Sequence, residues 1–303
     1  MSENGRVMAV GFFDGVHIGH GELLKRAKQK ARESDAKPAV LSFDTHPDDL
    51  VFKQSVKLIG DRESREELIH RCFDIPEVFF LHFDRDLMNM SWEQFISFSV
   101  EKYNICCYVV GYDFTFGKNG EGTARKLQEY CRNHGLGCEI IDAVKLEGQI
   151  VSSTMIRTMI ENGEMERANR FLGHPYCVSG TVQPGFRRGR KMQAPTVNLA
   201  FSQGVVVPKY GVYAAKAVLP DGSEWMSATN VGVRPTFQPD GEAGVESFLL
   251  HFNGDLYGKR IRIDFYSFLR PEVQFRDMQQ LSLQIQKDAA ETEAFLLNTD
   301  NRR

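Results

Sequence analysis

A chain of 303 residues, 42% hydrophobic and 25% charged, is long enough for two separate cores and has the make-up of an ordinary globular protein, not of a disordered one. Its formal net charge of -3 runs against a surface built to coat nucleic acid, which carries a basic excess or stripe. No apolar run reaches the ~20 residues of a membrane span, and residues 1–6 lack the charged-then-apolar order of a signal peptide, so a cytoplasmic protein with no nucleic-acid or membrane partner is expected.

In chain order, short apolar runs at residues 7–12, 39–43, 77–83, 106–111 and 138–142 read as buried strands. The amphipathic stretches 20–34, 62–73, 92–102 and 121–133 between them read as helices. Such alternation predicts a doubly wound, Rossmann-like parallel sheet. Residues 154–171 read as helical with a break at Gly163, and the texture changes at Gly173-His174-Pro175. Beyond that point, short alternating runs at 177–182, 196–201, 211–218, 224–231, 245–252 and 261–265 are separated by turn residues. They predict an antiparallel β-barrel. An amphipathic helix over about 277–297 is expected to pack on it. The fold class is α/β plus all-β, with domains at 1–172 and 173–303. The cysteines (Cys72, Cys106, Cys107, Cys131, Cys138, Cys177) show no zinc-ligand spacing and are expected to be reduced and mostly buried.

The segment Gly11-Phe12-Phe13-Asp14-Gly15-Val16-His17-Ile18-Gly19-His20 stands where the first strand hands over to the first helix. At that junction free helix amides favour phosphate, and ligands bind off the carboxyl ends of the strands. Two imidazoles one turn apart can donate to charge developing on one phosphate. A glycine turn with two surface histidines would read the same way locally. Downstream, Val151-Ser152-Ser153-Thr154-Met155-Ile156-Arg157 offers capping hydroxyls, first-turn amides and the planar fork of Arg157, together an anion site. Taken alone this is a well-capped helix. In the second half, Gly185-Phe186-Arg187-Arg188-Gly189-Arg190 precedes Pro195-Thr196-Val197-Asn198. A glycine-punctuated basic loop can wrap ATP phosphates, and Thr and Asn two apart on an extended segment point the same way and suit Mg²⁺. Glu246 is a lone carboxylate in an apolar strand, which suggests a functional group.

In combination these motifs carry a resemblance. The first two, with Val110-Gly111-Tyr112-Asp113-Phe114-Thr115-Phe116-Gly117 between them, follow the order and spacing of bacterial FAD synthetases within the adenylyl- and cytidylyltransferase superfamily. Class I aminoacyl-tRNA synthetases share the H-x-G-H letters but are generally longer and carry a second lysine-rich loop. The segments around Gly185–Asn198, Gly211-Val212-Tyr213, Asn230–Phe237, Val245–Phe248, Gly254–Gly258 and Leu269–Phe275 resemble riboflavin kinase over residues 173–297. The chain as a whole resembles the bacterial bifunctional riboflavin kinase/FMN adenylyltransferases.

That resemblance implies ATP-dependent phosphorylation of riboflavin to FMN with release of ADP, then adenylylation of FMN to FAD with release of pyrophosphate, with Mg²⁺ as cofactor. It implies Glu246 as the base for the ribityl hydroxyl, Thr196 and Asn198 as Mg²⁺ ligands, and His17 and His20 as phosphate donors. It implies ATP or phosphate contacts from Gly11, Phe13, Asp14, Gly19, Ser153, Thr154, Arg157, Gly185, Gly189 and Arg190, and flavin contacts from Asp113, Arg270 and Glu272. The family pattern is departed from at Phe12 and Met155, in the loose match at Phe43-Asp44-Thr45-His46-Pro47, and at Met192-Gln193-Ala194. The last keeps open an adenylyltransferase with a flavin-binding but weakly active kinase half. A non-catalytic flavin sensor is disfavoured by the catalytic-type residues in both halves.

Overall fold

Five parallel strands organise the first half of the chain. The computed structural model describes residues 5–46, 56–183, 196–233 and 243–300, and the chain divides into two compact units, Met1–Ser153 and Thr154–Arg303. The first unit opens with β1 (Arg6–Val10), α1 (Ile18–Glu33), β2 (Lys37–Phe43), α2 (Arg62–Phe73), β3 (Glu77–Leu81), α3 (Arg85–Asn89), α4 (Trp92–Tyr103) and β4 (Ile105–Gly111). It continues through a hairpin of β5 (Thr115–Phe116) and β6 (Gly122–Thr123), α5 (Ala124–Asn133), β7 (Gly137–Ile141) and a second hairpin of β8 (Lys145–Leu146) and β9 (Gln149–Ile150).

The sheet order is β3-β2-β1-β4-β7 with every pairing parallel. Successive side chains of a strand point to opposite faces, and both faces of β1 are apolar. Met8 and Val10 join a core with Phe95 and Ile96 of α4 and Leu127 of α5. Val7 and Ala9 are equally buried, and α1, which packs on β1, β2 and β4, buries Leu23, Leu24, Ala27 and Ala31. The winding direction reverses between β1 and β4. The crevice off their carboxyl ends is where sheets of this topology bind ligands.

Local signals account for the helix starts. Asp61 accepts from Ser64 N to cap α2, and Ser91 and Gln94 form a capping box on α4. The helix expected from 121 begins at Ala124, because Gly122–Thr123 pair with Thr115–Phe116 and Thr123 is the N-cap. The two hairpins and α3 were outside the sequence expectation, since segments of two to five residues show no period to read.

The second unit begins one residue into α6 (Ser153–Asn162), which is separated from α7 (Met165–Leu172) at Gly163, whose φ of 79° is the left-handed value that favours glycine. Then follow β10 (Tyr176–Thr181), β11 (Thr196–Ala200), β12 (Gly211–Val218), β13 (Glu224–Val233), β14 (Ala243–Leu249), β15 (Arg260–Arg270) and α8 (Met278–Asp300). The six strands form one antiparallel sheet in the order β10-β15-β12-β13-β14-β11. Its ends meet where Gln183, just past β10, bridges to Asn198 of β11, a nearly closed barrel. The interior holds Tyr176, Val197, Leu199, Tyr213, Ala215, Val231, Val245, Ile263 and Phe265. Three buried hydroxyls satisfy one another there: Thr229 Oγ1 lies 2.8 Å from Ser247 Oγ and 3.2 Å from Ser227 Oγ. The outer face of β12 and β13 is covered by α8. Among the described residues no helix is long and apolar enough to cross a membrane. Of the cysteines, Cys107 and Cys131 are buried and Cys72 is exposed, so the expectation of mostly buried thiols holds for only part of the set.

Helix α7 is stitched to the barrel. Asn169 Nδ2 donates to Phe265 O at 2.7 Å, its Oδ1 accepts from Tyr176 N at 2.8 Å, and Ser267 Oγ donates to Glu166 at 2.8 Å. Phe171 and Leu172 are buried beside these bonds. A fragment of residues 154–303 is therefore expected to melt cooperatively, and one of residues 173–303 to melt lower by ten degrees or more. Three lost hydrogen bonds at ~1 kcal/mol each, on ~4–8 °C per kcal/mol for a small domain, set that scale. Calorimetry of the two fragments tests this; equal melting temperatures would contradict it.

Candidate active sites

The first site grows from the end of β1. The chain leaves the strand through Phe13 at φ 58° and Gly15 at φ 71°, a sharp turn that delivers His17 as the N-cap of α1. His17 Nδ1 accepts the backbone N–H of His20 at 3.2 Å. In the neutral ring this leaves Nε2 carrying the proton and available as donor. The two imidazoles lie stacked, centroids 3.6 Å apart and planes 11° off parallel. A Cβ at Gly19 would stand 3.1 Å from the His17 ring, so the glycine of H-x-G-H makes room for that ring. The two histidines expected from sequence are thus brought together at the N-terminus of α1.

Burial pushes the His20 imidazole well below its ordinary pKa, with the charges of His17 and Arg65 adding to it. Its Nδ1 is buried with no hydrogen-bond partner among the described residues. At neutral pH the ring is neutral. In the unfolded chain a histidine takes up its proton near pH ~6.5, whereas in the folded state it does so only at lower pH. The native state then binds fewer protons, and stability falls as pH drops through and below ~6.5. Thermal melts between pH 8 and pH 5 are expected to show this loss, and a smaller one in His20→Gln. Superimposable pH profiles for the two proteins would contradict it.

Asp14 and Ser153 are engaged in holding the turn. Asp14 Oδ1 accepts from Ile59 N at 2.7 Å and Gly60 N at 3.4 Å, and Ser153 Oγ donates to Asp14 O at 3.0 Å. The fully buried Arg65 braces the same region from below. It donates to Phe12 O at 2.7 Å, Ser42 Oγ at 3.1 Å and Phe43 O at 3.0 Å, and its guanidinium lies over the Phe12 ring at 4.2 Å. Burial draws its pKa down to about 10, which leaves it charged at neutral pH. Sequence reasoning missed Arg65, because a cation in a charged amphipathic helix looks like solvated surface. Gly11 ends β1. Asp113 is exposed in the turn after β4, the strand beside β1. In the second unit, Thr154 and Arg157 lie one turn apart at the start of α6, Arg157 NH2 donating to Thr154 Oγ1 at 3.3 Å.

The second site lies on the outer face of the barrel, under α8. Cross-strand register aligns Asn198 of β11, Glu246 of β14 and Asn230 of β13 in one row, with Thr196, Phe248 and Ala228 in the next. Their side chains share one face. A cavity of about 240 Å³ opens over it, lined by Thr196, Asn230, Glu246, Arg270 and Glu272 among others, with Leu281, Ile285 and Asp288 of α8 as the opposite wall. Four of the residues expected from sequence thus come together: Thr196, Glu246, Arg270 and Glu272. Asn198 is buried beside Glu246. Glu246 is exposed between buried Val245 and Ser247, because strand alternation turns it outward, and it lines the cavity. Asn230 and Asp288 were not singled out from sequence. A charged residue on the apolar stripe Leu281, Ile285, Asp288 was the available signal for the second. Gly185, Gly189 and Arg190, the Met192-Gln193-Ala194 departure and Pro47 lie outside the described residues.

Known proteins agree with this division of labour. The model of the FAD synthetase family matches residues 1–155 and that of the riboflavin kinase family residues 172–296. A bifunctional riboflavin kinase/FMN adenylyltransferase of Listeria monocytogenes is 33% identical over 298 residues, covering 98% of this chain and 94% of the relative. One from Bacillus subtilis is 34% identical, covering 96% and 93%. A crystal structure described as a macrolide-efflux protein from Streptococcus pneumoniae superposes with a TM-score of 0.84 at 28% identity, covering 97% of this chain and 95% of that one. A stacked histidine pair off a parallel sheet, a carboxylate facing a cavity on a barrel, and two family matches in that order lead to one assignment: the chain belongs to the bifunctional riboflavin kinase/FMN adenylyltransferase family.

Proposed function

We propose that the second unit makes FMN from riboflavin and ATP, and that the first-unit site then joins FMN to AMP from a second ATP, giving FAD and pyrophosphate. The observation that carries the kinase half is the cross-strand row Asn198, Glu246, Asn230, of which Glu246 and Asn230 line the cavity together with Thr196. Glu246 takes the proton of the ribityl 5′-hydroxyl as that oxygen attacks the γ-phosphorus, and ADP leaves. Thr196 and Asn198 would hold Mg²⁺. They place oxygen donors on the face of Glu246. Such a sparse oxygen set suits Mg²⁺, which completes its shell with phosphates and water. When bound, the ion neutralises charge on the ATP phosphates. Arg270 and Glu272 belong to the flavin side of this cavity.

In the adenylyl step the nucleophile is the FMN phosphate, already ionised near neutral pH, so no general base is required. His17 and His20 donate to the reacting phosphates, with Gly11, Phe13, Asp14 and Gly19 shaping the turn that presents them. Ser153, Thr154 and Arg157 hold the departing pyrophosphate, and Asp113 contacts flavin. Because α6 carries Thr154 and Arg157, we set the functional division at 172/173, even though α6 and α7 pack within the second unit. The enzyme works in the cytoplasm on small molecules, without nucleic acid or membrane. The adenylyltransferase-only alternative is not favoured, since Thr196, Asn198 and Glu246 are all in place on one face.

Isotope tracing tests the assignment. Label from γ-phosphate-labelled ATP is expected in FMN and in the flavin-side phosphate of FAD. Among the flavins, label from α-phosphate-labelled ATP is expected only in the AMP side of FAD; the ADP left by the kinase step also carries it, and pyrophosphate does not. γ-Label in pyrophosphate but never in FMN would contradict the kinase half.

A further inference from the structure

Arg270 ends β15 and lines the flavin cavity, yet its guanidinium is occupied. Nε donates to Asp288 Oδ1 at 2.8 Å, NH2 to Asp288 Oδ2 at 2.6 Å, and NH1 to Pro271 O at 2.9 Å. A two-pronged guanidinium–carboxylate pair fixes angle as well as distance. Asp288 is almost fully buried on α8 and also accepts from Gln284 Nε2 at 2.8 Å. The third bond of Arg270 pins the carbonyl at which the chain turns from β15 into residues 271–275, the strap that contributes Glu272, Val273 and Phe275 to the cavity wall. Glu272 in turn accepts from Asn230 Nδ2 at 3.1 Å. Its carboxylate lies so close over Gly232 that a Cβ there would overlap it. Asn230 is the cross-strand neighbour of Glu246. An unbroken run of contacts therefore links the terminal helix, the strap and the strand beside the proposed base.

We propose that Asp288 is a positioning residue of the kinase: acting through Arg270, it sets the strap and α8 at the separation that admits the riboflavin ring, and Arg270 serves as its relay instead of as a direct flavin contact. The inference rests on the kinase reading above. Stability alone does not require an ion pair at this place, because a buried pair can usually be exchanged for apolar side chains of similar volume without loss. What such an exchange removes is the fixed angle between β15, the strap and the helix. Displacing a wall of a binding site by a fraction of an ångström weakens capture of the substrate while leaving the reacting groups in place.

The test is the double variant Arg270→Met/Asp288→Leu of the full chain, compared with wild type in riboflavin phosphorylation and thermal melting. It is expected to melt within a few degrees of wild type. KM for riboflavin is expected to rise about tenfold or more, with kcat changed by less than about threefold, on the scale that small misplacements produce. A folded double variant with wild-type KM would overturn the proposal, as would one in which kcat collapses at unchanged KM. Should the double variant fail to fold, Asp288→Glu, which keeps the charge but moves it by one methylene, gives the same readout: a raised KM supports positioning and wild-type kinetics refutes it. Absence of riboflavin phosphorylation in the wild-type protein would instead sink the kinase reading, so the two failures are distinguishable.

Discussion

Glu246→Gln is expected to lower FMN formation from riboflavin by about 10²–10⁴-fold, the usual contribution of a placed general base. A primary hydroxyl is a poor nucleophile until its proton is taken. Glu246 is presented on the cavity face between buried neighbours, with the Mg²⁺-ligand candidate Asn198 on one flank and Asn230 on the other. Glutamine keeps the size and most of the hydrogen bonding but cannot accept the proton. Riboflavin binding, followed by quenching of flavin fluorescence, should stay within a few-fold of wild type. FAD formation from supplied FMN should continue, because it occurs at the other site. Near-normal kinase turnover in the glutamine variant would remove Glu246 as base and leave alignment by Thr196 and Asn198 as the main contribution.

His17→Ala and His20→Ala are expected to cut FAD formation from FMN by roughly 10–10³-fold each, the range for loss of one donor to a developing oxyanion. Phosphorylation of riboflavin should be unaffected. His17→Ala also removes the side-chain acceptor at the start of α1, which lowers stability by about 1 kcal/mol. Asparagine at 17 separates the two effects, since it restores an N-cap acceptor without restoring the imidazole donor. Recovery of full activity by His17→Asn would show that capping, not donation to phosphate, is what this residue supplies. The stacked geometry of the pair makes the two substitutions non-additive, because each ring orients the other.

The parallel sheet and the barrel were legible because their strands carry the period of two or the continuous apolar runs that burial on one or both faces demands, and because turn residues punctuate them. Residues that meet through short-range spacing were legible too. His17, Gly19 and His20 sit within one turn, and Thr196 and Asn198 on one strand face. Arg65, Asn230 and Asp288 were not, since their roles depend on partners far away in sequence: the carbonyls of Phe12 and Phe43, the carboxylate of Glu272 and the guanidinium of Arg270. The alternating run 245–252 predicts one outward face, and the face of β14 that carries Glu246 and Phe248 opens onto a cavity. The short hairpins after β4 and β7 gave no periodic signal at all.

The central claim, two successive phosphorus chemistries on one chain, is tested most directly by a time course. Purified protein is incubated with riboflavin, ATP and Mg²⁺, and the flavins are separated by chromatography. FMN is expected to rise first and then decline as FAD accumulates, with two ATP consumed per FAD. Supplied FMN should give FAD with no lag. Accumulation of FMN with no FAD, or FAD from supplied FMN with riboflavin left untouched, would contradict the account.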